Sequence, residues 1–235
     1  MIDFQKVTHV FGRAEDTKIV LDHFDGHLAS ESYVLLASSE RVRSEFLRLC
    51  LGSRLPQSGA VVRQGKVSWP IGNPAVFRYD LSGYATARFF ASIYRLNPHD
   101  VIDFLTDFAA LPDETMASTV RLWPTPLALK LNLALALLPG FDIYAVEGSP
   151  LHPDIQFQRR WLEAFEARID GRMTLISTTQ IHAVRRLCRL ALIVHNGKVF
   201  TSPNVAEAVG YFGLRTIERV PEIEEEPLDS ADDPI

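Results

Sequence analysis

Apolar positions follow two regimes along the chain: short runs with two-residue alternation near the N-terminus, and three- and four-residue spacings through the middle. Val7 to Phe11 and Lys18 to Leu28, separated by the polar stretch Gly12 to Asp16, predict antiparallel strands joined by a turn. A strand at Tyr33 to Ala37 follows, then a helix over Ser39 to Leu51 closed by Gly52, and a strand at Ala60 to Val67 after the turn Pro56 to Gly59. From Tyr84 to about Val120 the spacing is helical, with Phe89, Phe90, Ile93 and Tyr94, then Val101, Phe104, Leu105 and Phe108. Phe89, Phe90 and Ile93 are read as core of this helical part. Helix Pro126 to Leu138, strand Phe141 to Val146, helix Asp154 to Ile169, strand Met173 to Ser177 and helix Gln180 to Arg189 complete an alternating series. It ends in the hairpin Leu192 to Phe200 around Asn196-Gly197. Strands alternating with helices of this length imply an α/β domain: a mainly parallel sheet covered on both faces, antiparallel strands at one edge and a helical subdomain over about 80–125.

Composition sharpens this picture. The chain has 235 residues, 47% hydrophobic and 23% charged, which fits one large globular domain over 1–220. The net charge of −5 is uneven, because Pro221 to Ile235 carry seven carboxylates and no base, leaving the rest near +2. That segment reads as a solvated acidic tail, and the near-neutral body argues against a nucleic-acid binder. Residues 1–20 mix charge and polarity, and no apolar run approaches the ~20 residues of a membrane span, so a cytoplasmic chain is expected. Cys50 and Cys188 lack metal-ligand spacing and fit buried thiols in a reducing compartment. His23 and His27 are spaced like metal ligands, but on an alternating strand they need not share a face with other ligands, so no metal site is expected. His182 and His195 carry no evident role, and no nucleophile elbow occurs.

The chemistry concentrates at one junction. In SYVLLASSERVRSEFLRLCLG, residues 32–52, an apolar strand runs into a helix, the place where α/β proteins cradle phosphate, yet no glycine is present there. The next stretch, FLRLCLGSRLPQSGAVVRQGKVSWPIG, Phe46 to Gly72, resembles the ATP-binding subunits of ABC transporters, specifically capsule and O-antigen type polysaccharide exporters. LSGYATARFFASIYR, Leu81 to Arg95, and FDIYAVEG, Phe141 to Gly148, extend the resemblance, which covers roughly Val7 to Phe212. It implies a P-loop NTPase-like, ABC ATPase fold.

On that resemblance, residues 37–44 stand at the phosphate-binding loop, where the family has two glycines, a lysine and a hydroxyl. Here Val42 replaces the second glycine, Glu40 adds a carboxylate, Arg43 stands for the lysine and only Ser44 is retained. A β-branched residue resists positive φ, and arginine keeps the charge without the point-charge geometry. Glu147 stands for the magnesium-binding aspartate and Gly148 for the catalytic glutamate, or, with the register slipped by one, Glu147 for the glutamate and Val146, which cannot bind a metal, for the aspartate. Pro124 and Pro126 fall in the signature loop and remove amide donors. Arg78 replaces the Q-loop glutamine, Thr178 the switch histidine, and Asp154 keeps the D-loop carboxylate.

Phe11 stands at the adenine-stacking position, although a ring so placed is more often core; with Ser39, Arg41, Arg43, Ser44 and Glu45 it makes up whatever nucleotide site survives. The resemblance with these departures implies a cassette that has lost ATP hydrolysis, has no catalytic residue and no metal or other cofactor, and acts through partners. Those partners are a membrane subunit, an active ATPase subunit of a polysaccharide exporter, or a second copy, reached through Arg78, Tyr79 and Tyr84 and placing the chain at the inner face of the membrane. The alternative is a working ATP-binding subunit using ATP and Mg2+, or a ligand-binding role on the same scaffold.

Overall fold

The computed structural model describes residues 1–13, 17–72, 80–148, 152–178 and 185–213. Two sheets organise it: a three-stranded antiparallel sheet of order β2-β1-β4 and a six-stranded sheet of order β5-β6-β7-β3-β8-β9. The strands are β1 (Ile2–Phe11), β2 (Lys18–Leu28), β3 (Ser32–Ala37), β4 (Ser58–Arg63), β5 (Val67–Ile71), β6 (Ile143–Glu147), β7 (Met173–Ser177), β8 (Leu190–His195) and β9 (Lys198–Ser202). Strand β3 pairs in parallel with β7 and β8, and its inner four residues are all buried, the continuous apolar run of a strand covered on both faces. Antiparallel β9 closes that edge through Asn196 and Gly197, both at positive φ as a two-residue hairpin requires.

The chain divides into two compact units. The first comprises Met1–Val67, Asp142–Ala145 and everything from Gly171 on. Its helix α1 (Glu40–Leu51) starts at Ser39, whose hydroxyl accepts from the Val42 amide, and stops at Gly52 in the left-handed conformation. Val42, Phe46, Leu49 and Cys50 recur at helical spacing and enter a core with Ile2, Phe4, Val7, Leu35, Leu175 and Val194. Phe46 stacks on Phe4 at 5.7 Å between ring centres. The other face of β3 and β8 packs Val34, Leu36, Ala191 and Ile193 against Val205, Ala208 and Val209 of α7 (Val205–Gly213).

The second unit comprises Ser68–Phe141 and Val146–Asp170. It carries α2 (Gly83–Tyr94), α3 (Pro98–Asp107), α4 (Asp113–Ala117), α5 (Thr125–Leu135) and α6 (Ile155–Ile169). Trp69 meets Phe90 and Phe141 edge-on at 5.7 and 5.6 Å, with Tyr94 tilted beside it. Trp161 stacks on Phe165 at 4.7 Å and donates its indole N–H to the Leu133 carbonyl.

Three expectations change here. The single strand expected at Ala60 to Val67 is two strands in different sheets, broken at Gly65, where φ is +100° and a Cβ would meet Asp142 at 2.5 Å. Phe89 and Ile93, expected in the core with Phe90, are 51% and 55% exposed while Phe90 is 3% exposed. Of the helix expected at Gln180 to Arg189, residues 180–184 lie outside the described residues, and Arg185–Leu187 form one 3-10 turn. The acidic tail also lies outside them. Cys50 is buried, Cys188 is partly buried, and neither is in a disulfide. No helix among the described residues is long and apolar enough to cross a membrane.

Candidate functional site

The junction between β3 and α1 is short: β3 ends at Ala37 and α1 begins at Glu40, so only Ser38 and Ser39 connect them. None of residues 37–44 has a positive φ. Two of the amides at this helix start are bonded within it. Val42 N–H donates to Ser39 Oγ at 3.3 Å and Arg43 N–H to the Ser39 carbonyl at 3.1 Å. Val42 is 4% exposed, its side chain turned into the core. Arg43 reaches from the first turn of α1 to the end of β7, where its Nε donates to Ser177 Oγ at 3.0 Å. Thr178, expected at the switch position, is buried. Arg41 is exposed, Ser44 half-buried, and Phe11 packs half-buried against the core at the end of β1.

Glu45 faces away from this junction into an ion cluster. Its carboxylate accepts from Arg48 Nη1 at 2.8 Å and from Arg54 Nε and Nη2 at 3.0 and 3.3 Å, and lies 3.3 Å from His9 Nε2. Burial pushes its pKa up, but the hydrogen bonds from Arg54 and His9 and the charges of Arg54 and Arg48 outweigh this, so the net direction is down. A carboxylate with a depressed folded pKa contributes stability that is present above its unfolded pKa and lost as pH falls through the folded one. Glu45→Gln is expected to lose about 2 kcal/mol at pH 7, the scale of hydrogen bonds to a buried charge, and clearly less at the acid limit of folding. Denaturant titrations of both proteins across that range check this.

In the second unit, Glu147 ends β6 half-buried and Gly148 follows, exposed, at φ +93°. Asp154 caps α6, accepting from the Gln156 and Phe157 amides at 3.1 and 3.0 Å, and pairs with Lys130 Nζ at 2.8 Å. The Lys130 ammonium, then the Phe157 amide, hold its carboxyl down at about 2. His152 accepts the Asp154 amide on Nδ1 at 3.0 Å and donates from Nε2 to the Pro126 carbonyl at 2.8 Å, tying the start of α6 to the first turn of α5. Pro124 and Pro126 bring no amide donor to that turn, and the Leu127 and Ala128 amides bond back to the Pro124 carbonyl.

Tyr84 on α2 donates its hydroxyl to Asp113 at 2.8 Å, which raises its pKa, and Arg88 lies over its ring at 5.9 Å. Arg78 and Tyr79 lie outside the described residues. His23 and His27 each face their own aspartate, Asp22 and Asp3, and no group of three metal-binding side chains occurs among the described residues.

Thus Ser39, Arg43 and Ser44 gather at one end of β3 while Glu45 does not join them. Sequence reasoning missed Ser177, His152 and Lys130 as bonding partners of these positions. Arg43 and Ser177 are separated by 134 residues, and no local pattern marks such a pair.

No protein-family model matches the chain. It is 26% identical over 214 residues to the ATP-binding protein BexA of Haemophilus influenzae, covering 90% of this chain and 98% of that one. The capsule polysaccharide export ATP-binding protein CtrD of Neisseria meningitidis is 25% identical over 183 residues, 77% and 84% of the two chains. The polysialic acid transport ATP-binding protein KpsT of Escherichia coli is 21% identical over 173 residues, 73% and 77%. Among solved structures, a dimeric ATP-binding cassette in a post-hydrolysis state with ADP and Pi superposes with TM-score 0.69 at 13% identity, covering 86% of this chain and 98% of that one. An ATP-binding subunit of an ABC transporter gives 0.70 at 18% identity over 92% and 94%. The fold is that of the ABC ATPase cassette.

Proposed function

We propose that this chain, a homologue of the ATP-binding proteins of capsule polysaccharide export, keeps the cassette as a docking scaffold and does not hydrolyse ATP. The observation that carries the reading is the β3–α1 junction, where the helix begins at Glu40 and the Val42 and Arg43 amides are bonded to Ser39. A triphosphate needs those amides pointing outward from a glycine loop. Mg-ATP does not fit these residues: Val42 is packed into the core, and Arg43 donates to Ser177. Glu40 adds a negative charge where phosphate charge would lie. Gly148 offers no carboxylate to polarise a water.

The protein then works through contacts, with a membrane subunit or an active ATPase subunit of a polysaccharide exporter, or with a second copy, at the cytoplasmic face of the membrane. Support for a contact surface comes from α2, where exposed Phe89 and Ile93 lie one turn apart with exposed Arg88 and Arg95 beside them. Apolar side chains and arginines of this kind are enriched at binding hot spots. The expected result with millimolar Mg-ATP is an unchanged melting curve. Ligand at one hundred times its dissociation constant stabilises by ~2.7 kcal/mol, so micromolar binding registers as a shift of several degrees. A dose-dependent shift with ATP but not AMP overturns the reading in favour of a working ATP-binding subunit.

A further inference from the structure

The cluster around Glu45 lies on the same helix as the closed junction, and no part of nucleotide recognition calls for it. His9 is 3% exposed and its Nδ1 has no hydrogen-bond partner among the described residues, a state that native cores rarely keep without a reason. Its other nitrogen, Nε2, lies 3.3 Å from a carboxylate oxygen that only accepts, so the hydrogen bond between them is donated by the ring. Arg54, on the segment that follows α1, supplies two further donors to the same carboxylate, and its own amide bonds to the Arg48 carbonyl. The helix is therefore held from β1 on one side and from its own C-terminal connection on the other. At its last turn the Arg63 guanidinium donates to the Leu49 and Cys50 carbonyls. At its first turn Arg43 bonds to Ser177. A helix rises 1.5 Å per residue as a stiff rod, so fixing Glu45 fixes the amides of Val42 and Arg43 just upstream along the axis.

We propose that His9, Glu45 and Arg54 form a latch that sets the axial position of α1 and keeps its first turn wound across the β3–α1 junction. Of the ties on this helix it is the one built on a nearly buried charge, where loss of a partner is least tolerated. Glu45, His9 and Arg54 are positioning residues in this role, acting on the junction through the helix. The latch concerns the junction used in the functional reading, but its test contains no nucleotide, so the two stand or fall separately.

The test is amide hydrogen exchange on the full chain, comparing Val42 and Arg43 with Ile193 and Val194 of β8. Glu45→Gln and Arg54→Ala are each expected to speed exchange of the first-turn amides at least tenfold relative to the strand amides. Cys50→Ala, which opens a cavity in the same helix outside the cluster, serves as the control and is expected to change both sets in proportion. The proposal is overturned if the ratio stays at the wild-type value in Arg54→Ala, a half-exposed position that leaves the core intact, or if Cys50→Ala skews the ratio equally.

Discussion

Trp161→Ala is expected to cost about 4 kcal/mol and, for a chain of this size, to lower the melting temperature by roughly 10 °C. Trp161 is among the largest side chains with no exposure. Its removal takes away the stack on Phe165 and leaves a cavity that rigid neighbours on α5 and α6 fill only in part. It also strips the Leu133 carbonyl of its donor at 2.8 Å. The two losses separate experimentally. Trp161→Phe keeps an aromatic ring but not the N–H, and is expected to lose about half as much, since an orphaned buried acceptor costs ~1–3 kcal/mol. A Trp161→Ala protein that melts within a degree or two of wild type contradicts the packing described for the second unit.

The opposite profile is expected at Phe89 and Ile93. Replacing both by serine should weaken association with a membrane subunit, an ATPase subunit or a second copy by ~2 kcal/mol or more, about thirtyfold in dissociation constant, if they anchor the contact. Stability should change by no more than ~0.5 kcal/mol, because both side chains already stand half in water. The measurement is a binding titration of each purified partner against wild-type and doubly substituted protein, with melting curves of both. Unchanged binding to all of these rejects α2 as the contact surface. Phe90→Ser, one residue away but 3% exposed, should do the reverse and lower stability strongly.

Element ends that a few neighbouring residues settle were legible in the chain alone. Ser39 and Gly52 bracket α1 because a hydroxyl can serve the helix's own first amides and a glycine can turn left-handed at its end. Asn196-Gly197 makes the β8–β9 turn for the same local reason, and Asp154 starts α6. The cassette fold was legible because the stretches Phe46 to Gly72, Leu81 to Arg95 and Phe141 to Gly148 carry a family resemblance. Other features depend on contacts between distant segments. Phe89-Phe90 and Ile93-Tyr94 are adjacent apolar pairs on a helix that turns about 100° per residue, so the pattern is wider than one face. Which member of each pair points inward depends on Trp69 and Phe141, and these chose Phe90 and Tyr94. The run at Ala60 to Val67 reads as one strand, but it breaks at Gly65, whose backbone takes a positive φ against Asp142. At the site, Arg43 was visible as a cation in place of a lysine. That it ends on Ser177, and that Glu45 turns to His9 and Arg54, follows from pairing β3 beside β7 and laying α1 across β1, contacts between segments whose proximity no local propensity encodes.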